Sequence, residues 1–300
     1  MFPDCQIIIV NFNLKDDTSC CLESFLKSGA SLSQIIVVDN GSSDDSVSYL
    51  RNRFGPDLFV LEVEGVLGYA HGLNQGSQLA LSKGATWLLL MSNDTVVAPN
   101  FLREFDEAAH QNSEVLMFSP LILYCDLPDT IWFLGTYLIP GTLITRDPFH
   151  NHKRQLSYPV SMPVDFINGC AMLIHRDVFE KIGFFDSSFF MYFEEVDYCW
   201  RARRAGIKFN AAPRAHMWHK VSLTMDQDRP GARFLRIRNQ IWVYRRYSFP
   251  WQFPIMFIFS LLRGLVLGLK DIFQTQFPLL IPLIRGFWEG WTHKLPSFRS

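Results

Sequence analysis

The feature that most constrains the fold is a series of short apolar runs, each of which ends at a cluster of polar residues. Such runs occupy residues 6–10, 34–38, 58–62 and 87–91, and they are rich in Ile, Val and Leu. The intervening segments have helical spacing: residues 17–27, 46–53 and 69–81. Strands that are buried on both faces show continuous apolar runs, and their alternation with helices favours a mostly parallel sheet. The sequence therefore predicts an α/β fold, with a sheet flanked by helices.

The pattern changes twice further along the chain. Residues 116–163 contain repeated prolines and predict loops and small strands over the sheet, whereas residues 165–175 predict a strand and 176–182 a helix. We expect residues 1–225 to form one catalytic domain and residues 226–300 a C-terminal helical region.

The C-terminal region has two apolar stretches, at residues 253–269 and 279–291. Arg263 interrupts the first, and a central arginine is unfavourable in a helix that spans a membrane. A basic cluster precedes both stretches: Arg229, Arg233, Arg236, Arg238, Arg245 and Arg246. Helices that lie on the membrane surface, attracted by anionic lipid, fit this pattern. The alternative is a helical cap that packs on the catalytic domain.

Composition excludes several classes of protein. Hydrophobic residues make up 48% and charged residues 19% of the 300 residues, which excludes disorder on compositional grounds. The formal net charge of −1 gives no electrostatic case for nucleic-acid binding. The six cysteines form no CxxC pair, and the first residues have no basic segment typical of a signal peptide. We therefore expect free thiols and a cytoplasmic location.

Two of the polar clusters follow strands at the edge of the sheet where ligands bind in such folds. Asp39 precedes Asn40-Gly41-Ser42, and its carboxylate can accept a hydrogen bond from a pyrimidine base or a ribose hydroxyl, although this is also an ordinary turn sequence. Asn93 and Asp94 follow the run at 87–91. A carboxylate there, near a diphosphate, suits Mg²⁺ or Mn²⁺, which take oxygen ligands.

A helix that begins with small residues comes between these two clusters. Gly68, Gly72 and Asn74 belong to the sequence Gly-Tyr-Ala-His-Gly-Leu-Asn-Gln-Gly over residues 68–76. Small residues allow a nucleotide diphosphate to approach the backbone and the helix N-terminus. Close packing of the helix on the sheet explains the glycines equally well.

Three acids, Glu194, Glu195 and Asp197, follow the aromatic run at 189–193. Burial and like charge raise the pKa of such carboxyls, and a raised pKa suits a general base. The alternative is a solvated helix start, where acids favour the helix dipole. Arg201 follows on the same helix and can pair with the acids or with phosphate. His219 follows a strand-like stretch and can complete the coordination of a metal.

These elements, in this order, resemble the inverting glycosyltransferases of family 2, which have the GT-A fold, and in particular rhamnosyltransferase-type enzymes. The resemblance covers about residues 7–224. It implies that Asp39 contacts the nucleotide base and that Asn11 and Asn13 line the same pocket. It further implies that Ser92-Asn93-Asp94 stands for the DxD motif, with Asp94 and His219 at the metal.

The same resemblance implies that Glu195 is the catalytic base and that Asp197 and Arg201 match the acidic and basic positions that follow it. Two residues depart from the family pattern. Ser92 stands at the first position of the DxD motif, and Glu195 stands where the family usually has an aspartate.

The function implied by the resemblance is transfer of a sugar from a nucleotide-diphosphate donor, with Mg²⁺ or Mn²⁺ and with inversion. The expected acceptor is a saccharide or a lipid-linked saccharide, at the inner face of the plasma membrane, and the first expectation for the donor is dTDP-rhamnose. One alternative is a sugar-nucleotide-binding partner without activity in a polysaccharide assembly complex. Another is a nucleotidyltransferase, but the glycine-rich basic loop typical of that class does not follow the first strand.

Overall fold

The computed structural model describes residues 4–221 and 229–297. Its strands are β1 (Cys5–Asn11), β2 (Ile35–Asp39), β3 (Phe59–Glu62), β4 (Trp87–Ser92), β5 (Thr95–Val97), β6 (Met117–Tyr124), β7 (Ile131–Phe133), β8 (Tyr137–Leu138), β9 (Thr145–Arg146), β10 (Met162–Val164), β11 (Ala171–His175) and β12 (Phe209–His219). Its helices are α1 (Lys15–Lys27), α2 (Ser46–Phe54), α3 (Tyr69–Ser82), α4 (Phe101–Gln111), α5 (Arg176–Ile182), α6 (Glu194–Arg204), α7 (Arg229–Tyr247), α8 (Phe253–Phe273) and α9 (Leu280–Thr292).

Ten strands form one mixed sheet in the order β10-β12-β6-β11-β4-β1-β2-β3, with β5 on β12 and β7 on β6. The half of the sheet formed by the N-terminal strands is parallel, because β1 pairs in parallel with both β2 and β4. The pairing sets Asn11 opposite Asp39 and Val10 opposite Ser92. The polar residues that follow three strands therefore meet at one edge of the sheet, as the sequence predicts.

The apolar runs of the parallel strands are buried on both faces. Ile8 and Ile9, which point to opposite faces of β1, are both fully buried, each in a different core cluster. Helix α3 covers one face very closely: a Cβ on Gly76 would lie 2.4 Å from Ile8 Cγ2, and a Cβ on Gly72 would lie 2.9 Å from Val10 Cγ1. These two glycines permit helix–sheet packing, which supports the alternative interpretation of the glycine pattern.

The region that the sequence predicts as loops contains a central strand. Strand β6 lies between β11 and β12, and its residues from Met117 to Leu123 are buried. Its Pro120 pairs with Ala212, next to the bulge in β12 between Ala212 and His216, and a bulge is where a sheet interior accepts proline. The expectation for residues 116–124 was therefore wrong, and the strand predicted at 165–175 is shorter and begins at Ala171.

The C-terminal helices pack on one another through small residues. A Cβ on Gly290 of α9 would lie 2.9 Å from Ile241 Cβ of α7, so the Ile241 side chain packs directly on the α9 backbone. Helix α8 leaves many large apolar side chains exposed, as does α9. Within the described residues, one helical segment, at 250–273, is long and apolar enough to cross a membrane by length and composition, and 22% of its 18-residue apolar window is buried.

Most of the arginines of the basic cluster bond inside the protein. Arg233 pairs with the buried Asp271, and Arg246 pairs with the buried Asp186. Arg245 donates to the carbonyls of Gly290 and His293. The Arg238 guanidinium lies 4.1 Å from the Trp242 ring centroid. Among the arginines that the structure describes, these four therefore contribute to the packing of α7, and the attraction to anionic lipid stays a prediction.

Substitution of Gly76 by alanine tests the close contact of α3 with the sheet. We expect the free energy of unfolding to fall by about 1–3 kcal/mol, because the new methyl must displace β1 side chains in a filled core. The urea midpoint measures this change. Gly264→Ala in α8 is the matched control, since a Cβ at Gly264 meets nothing within 4 Å, and it should leave stability equal or slightly higher. Equal effects of the two substitutions would contradict the packing role.

Candidate active site

The first part of the site is a hydrogen-bonded network around the Asp39 carboxylate at the end of β2. Asn11 Nδ2 donates to Asp39 Oδ1 at 2.6 Å, and the Ser42 hydroxyl donates to the same oxygen at 2.6 Å. The Ser42 backbone N–H donates to Oδ2 at 3.0 Å. A carboxylate oxygen accepts two hydrogen bonds, so Oδ2 retains capacity for one more donor, such as the N–H of a nucleotide base.

Asn13 and Asn93 tie neighbouring loops to this network. The Asn13 backbone N–H donates to Ser42 Oγ at 2.7 Å, and its side-chain oxygen accepts from the Ser43 backbone N–H at 2.9 Å. Asn93 Nδ2 donates to Asn11 Oδ1 at 3.2 Å and to Thr18 Oγ1 at 2.9 Å. Hydrogen bonds thus connect the loops after β1, β2 and β4 into one network at this edge of the sheet.

The second part of the site is the pair Asp94 and His219. Asp94 follows β4, and His219 ends β12, whose pairing with β5 brings the two side chains together. His219 Nε2 lies 3.2 Å from Asp94 Oδ1, and the two side chains are 12% and 9% exposed. His219 Nδ1 is buried and has no hydrogen-bond partner among the described residues. The sequence analysis placed His219 after a strand, whereas in the structure it is the last residue of that strand.

This pair fits a divalent cation. A carboxylate oxygen and an imidazole nitrogen within 3.2 Å of each other are suitable ligands for a cation that takes its remaining ligands from phosphate and water. No group of three or more His, Cys, Asp or Glu that could hold a metal occurs in residues 4–221 and 229–297. The protein would therefore supply two ligands. Ser92, at the first DxD position, lies 3.2 Å from the Tyr69 hydroxyl.

The third part of the site is formed by Glu194 and Glu195 at the N-terminus of α6. A Cβ on Gly169 would lie 3.1 Å from Glu195 Cβ. The Gly169 carbonyl accepts from the Tyr69 hydroxyl, and the next residue, Cys170, bonds to Ser92 of β4. The backbone of Gly169 and Cys170 therefore lies between Glu195 and the end of β4, which Asp94 follows.

Both glutamates carry a buried carboxyl oxygen that has no hydrogen-bond partner among the described residues. Burial raises the pKa of both carboxyls, and the charge on Glu195 further raises the pKa of Glu194. The charge of Glu195 acts on Glu194, so of the two carboxyls Glu195 is the one that ionises more readily. The acids do begin a helix, as the alternative interpretation expected, but this helix start is buried rather than solvated.

The loop that carries the glutamates is strained and externally braced. Phe190, Tyr192 and Phe193 all have positive φ angles between 65° and 69°, a region that L residues other than Asn and Asp rarely adopt. Asn239 Nδ2 of α7 lies 2.8–2.9 Å from the carbonyl oxygens of Phe189, Met191 and Tyr192, so its two N–H groups serve three acceptors and one N–H is shared. Helix α7 thereby fixes the backbone from which the glutamates project.

Asp197 and Arg201 lie in a separate buried network. Asp197 accepts from Arg201 Nε at 3.0 Å, from Arg246 Nη1 at 2.7 Å and from the Tyr247 hydroxyl at 2.7 Å. Arg201 also donates to the carbonyls of Ile182 and Phe184. The structure does not bring these two side chains to the strand-end cluster, and their bonds join α6 to α7 and to the segment after α5.

Helix α3 supplies positioning residues. Both polar atoms of the Asn74 amide bond to the backbone of Phe185, at 2.9 Å each. A Cβ on Gly68 would lie 2.5 Å from the Phe190 carbonyl oxygen, so the start of α3 contacts the strained loop. Gly68, Gly72 and Asn74 therefore shape the site through protein contacts. The sequence analysis did not identify Asn239, although an asparagine between the buried Ile237 and Ile241 in a helix is a recognisable signal.

The family is shown by a match to the model of glycosyl transferase family 2 over residues 6–183, more than half of the chain. Rhamnosyltransferase WbbL of Escherichia coli is 36% identical over 222 residues, which cover 71% of this chain and 82% of that protein. The chain belongs to glycosyl transferase family 2 and is a glycosyltransferase, as the sequence predicts.

Two further relatives act in glycan synthesis according to their names. The low-salt glycan biosynthesis hexosyltransferase Agl10 of Haloferax volcanii is 29% identical over 216 residues, 69% of this chain and 64% of that protein, so the chain spans less than two thirds of this relative. The N-acetylglucosaminyl-diphospho-decaprenol L-rhamnosyltransferase of Mycobacterium tuberculosis is 25% identical over 241 residues, 74% of this chain and 78% of that protein.

Solved structures agree with the predicted GT-A fold. GalNAc-T7 with UDP, GalNAc and Mn²⁺ superposes with a TM-score of 0.61 at 15% identity, covering 80% of this chain and 47% of that one. The mannosyltransferase PcManGT of Pyrobaculum calidifontis, in complex with GDP-Man and Mn²⁺, gives 0.56 at 14% identity and covers 97% and 88%. At these identities the likeness shows the fold alone.

Replacement of Asn239 by leucine tests the brace on the glutamate loop. Loss of the amide leaves three carbonyls of a strained loop without their donor, at a cost of about 1–3 kcal/mol. We expect transferase turnover to fall about tenfold or more while the affinity for a nucleoside diphosphate is retained, since the strand-end cluster is untouched. Steady-state kinetics and calorimetry with UDP, dTDP and GDP measure the two quantities.

The control for this substitution is Asn210→Leu. Asn210 is also a buried asparagine, but it bonds to Ser161 near the β10 edge of the sheet. The Asn210→Leu substitution should reduce stability without a specific loss of turnover. Equal turnover of the two variants would contradict the bracing role of Asn239.

Proposed function

We propose that this protein is an inverting glycosyltransferase that moves a hexose, with rhamnose as the first candidate, from a nucleotide-diphosphate donor to a saccharide or lipid-linked saccharide. The observation that carries the proposal is the buried carboxyl oxygen of Glu195, which has no hydrogen-bond partner among the described residues and belongs to a side chain packed on Gly169. The names of the relatives, a hexosyltransferase of glycan biosynthesis and two rhamnosyltransferases, support a role in glycan synthesis, and a cell-surface polysaccharide is the product that we propose.

The donor base binds at Asp39 in this proposal. The free acceptor capacity of Asp39 Oδ2 suits the imide N–H of uracil or thymine, which is consistent with a dTDP or UDP donor. Asn11 and Ser42 orient the carboxylate through their hydrogen bonds. Asn13 and Asn93 hold the surrounding loops together through theirs. These residues bind and orient the donor, and none of them takes part in proton transfer.

Asp94 and His219 would hold the divalent cation, Mg²⁺ or Mn²⁺. When bound, such a cation neutralises the negative charge that develops on the departing nucleoside diphosphate. The structures of GalNAc-T7 and PcManGT contain Mn²⁺, which supports this assignment by likeness of fold.

Glu195 is the general base. Its ionised carboxylate removes the proton from an acceptor hydroxyl while that oxygen attacks the anomeric carbon from the face opposite the leaving diphosphate. The proton ends on Glu195, and the single displacement inverts the configuration. The buried Glu194 lies beside the base and Asn239 braces the loop that carries both, and the raised pKa of Glu195 makes it a stronger proton acceptor. Asp197 and Arg201 support the helix that carries it.

The acceptor site faces a membrane surface in this proposal. Apolar side chains on α8 and α9, among them Leu262, Val266 and Trp288, are more than half exposed, and contiguous apolar surface on this scale is typical of an interaction site. Arg263 within α8 favours a helix that lies in the interface over one that spans the bilayer. The division into a catalytic domain at 1–225 and a C-terminal region at 226–300, with a peripheral position on the cytoplasmic side of the membrane, is part of the same proposal.

Glu195→Gln is the primary test of the mechanism. We expect turnover to fall by about 10²- to 10⁴-fold with unchanged donor affinity, because the amide cannot accept the proton. The measurement is release of nucleoside diphosphate from UDP-, dTDP- and GDP-sugars with an acceptor panel, in Mn²⁺, in Mg²⁺ and in EDTA. Donor binding by the wild type without product from any acceptor would contradict the transferase proposal and favour an inactive binding partner.

Glu194→Gln is the matched control, because burial and the charge of Glu195 raise the pKa of Glu194 and so favour its neutral form, which the amide resembles. Its loss of turnover should be much smaller than that of Glu195→Gln. In the wild type, kcat/KM should fall as the pH drops through the raised pKa of Glu195, so the acidic limb lies above the ordinary glutamate value of 4.5. An acidic limb at or below that value would argue against Glu195 as the base.

Binding to the membrane surface is tested with liposomes. Leu262→Gln/Val266→Gln removes two exposed side chains that are one turn apart on α8, and each contributes about 1.5–3 kcal/mol when buried in lipid. We expect cosedimentation with phosphatidylcholine and phosphatidylglycerol vesicles to weaken at least tenfold. Leu127→Gln/Leu156→Gln, at exposed positions of the catalytic domain, is the control. Equal vesicle binding by both double variants would contradict the assigned surface.

A further inference from the structure

The tyrosine that begins helix α3 lies between the end of β4 and the segment that precedes β11. The Tyr69 hydroxyl donates to the Gly169 carbonyl at 3.1 Å and lies 3.2 Å from the hydroxyl of Ser92, the last residue of β4. A phenol has one proton, and a carbonyl can only accept, so the Tyr69 oxygen accepts from Ser92. The protein therefore uses this hydroxyl both as a donor and as an acceptor.

The Tyr69 hydroxyl keeps its proton near neutral pH. Burial raises the pKa of Tyr69 well above its ordinary value, and the nearby charges of Glu194 and Asp94 act in the same direction. The hydrogen bond to the Gly169 carbonyl is therefore present whether or not the carboxyls around it are ionised.

The Gly169 peptide is the surface on which the Glu195 side chain packs. A Cβ on Gly169 would lie 3.1 Å from Glu195 Cβ, 3.2 Å from its Cγ and 3.5 Å from its Cδ. The glutamate thus lies along this peptide as far as its carboxyl carbon. The next carbonyl, of Cys170, accepts from the Ser92 backbone N–H at 3.0 Å. Tyr69 and β4 together therefore hold the backbone that faces the proposed base.

The neighbours of Tyr69 contact the loop that carries the glutamates. A Cβ on Gly68 would lie 2.5 Å from the Phe190 carbonyl oxygen, and the Ala70 backbone N–H donates to the same oxygen at 3.4 Å. Phe190 is one of the loop residues with positive φ. The first turn of α3 thus contacts the backbone that leads to Glu195 and, through Tyr69, the surface on which the Glu195 side chain packs.

From these contacts we infer that Tyr69 is a positioning residue for the base, because its hydroxyl holds the Gly169 peptide against the Glu195 side chain. The inference rests on the proposed function and deepens it, since it adds to the proposed mechanism a residue that acts through Gly169 and touches no reacting atom. A phenylalanine would fill the same space without the donor, so the role belongs to the hydroxyl rather than to the ring.

The test is a pH titration of the Glu195 carboxyl carbon by ¹³C NMR in the full-length protein, with the resonance assigned by its absence in Glu195→Gln. In Tyr69→Phe the Gly169 peptide loses its donor and the carboxyl becomes more accessible to water. We therefore expect the raised pKa of Glu195 to fall towards 4.5. Turnover should fall about tenfold with an unchanged KM for the donor, because the base is displaced while the donor residues are not. An unchanged pKa of Glu195 in Tyr69→Phe would overturn the inference.

The matched control is Tyr158→Phe. The Tyr158 hydroxyl also bonds to backbone, accepting from the Gln155 N–H at 2.9 Å, and its loss should change neither the pKa of Glu195 nor turnover. The titratable and charged groups near Glu195 are the same in Tyr69→Phe, Tyr158→Phe and the wild type: Glu194, Cys170, Cys199, Arg236 and Arg263. A shift confined to Tyr69→Phe therefore reports a change in the burial of Glu195. Equal shifts in both variants would count against a specific role of Tyr69.

Two further variants separate the routes by which Tyr69 acts. Gly169→Ala keeps the bond from Tyr69 but presses a methyl on Glu195, at a position without positive φ. It should lower turnover with donor affinity retained, and unchanged turnover would contradict the role of this contact. Ser92→Ala removes the bond to Tyr69 at β4 and should leave the pKa of Glu195 as in the wild type. A shift as large as that in Tyr69→Phe would assign the effect to β4, against the inference. Because the titration needs no turnover, a wild type that transfers no sugar would count against the proposed function alone.

Discussion

The structure of the site depends on one amide group, the side chain of Asn239. Its nitrogen donates to three carbonyls of a loop in which three residues other than glycine have positive φ. Such a backbone is costly on its own and persists only when its surroundings hold it. The loop presents Glu194 and Glu195 to the cleft, so the position of the proposed base is determined by a helix that lies 40 residues later in the chain. Catalytic geometry and C-terminal packing are therefore not separable in this protein.

The acids of α6 illustrate how burial distinguishes structural from chemical carboxylates. Asp197 is fully buried and accepts from Arg201, Arg246 and Tyr247, so its charge is compensated and it contributes to the fold. Glu194 is buried and Glu195 is partly exposed, and each has a buried carboxyl oxygen without a hydrogen-bond partner among the described residues. An uncompensated buried carboxyl is unfavourable for stability. Its retention two residues away from a fully paired one is best explained by a reaction that uses it.

The parallel half of the sheet was predictable, because β1, β2 and β4 are buried on both faces and their apolar runs record that burial directly. Strand β6 was not, since Pro120 interrupts the signal and is accepted only through a bulge in β12, a strand about 90 residues away. The placement of Asp39 and Asp94 at one edge of the sheet was predictable from their positions at strand ends. The buried network around Asp197 was not, because its partners Arg246 and Tyr247 lie in α7. The internal bonds of the basic cluster were not predictable for the same reason, because these arginines bond to residues that only the fold brings near.

The coupling between α7 and the glutamate loop has a consequence for how such an enzyme can use a membrane. Helix α7 holds the loop through Asn239 and packs against α9 through Gly290. If α8 and α9 rest on lipid, as proposed, the height of the base above the bilayer surface is set by the packing of α7 on these helices. An acceptor sugar held at a fixed height above the lipid would then reach the base directly. The C-terminal region would thus set the height above the membrane at which an acceptor is reached, while the strand-end cluster binds the donor independently.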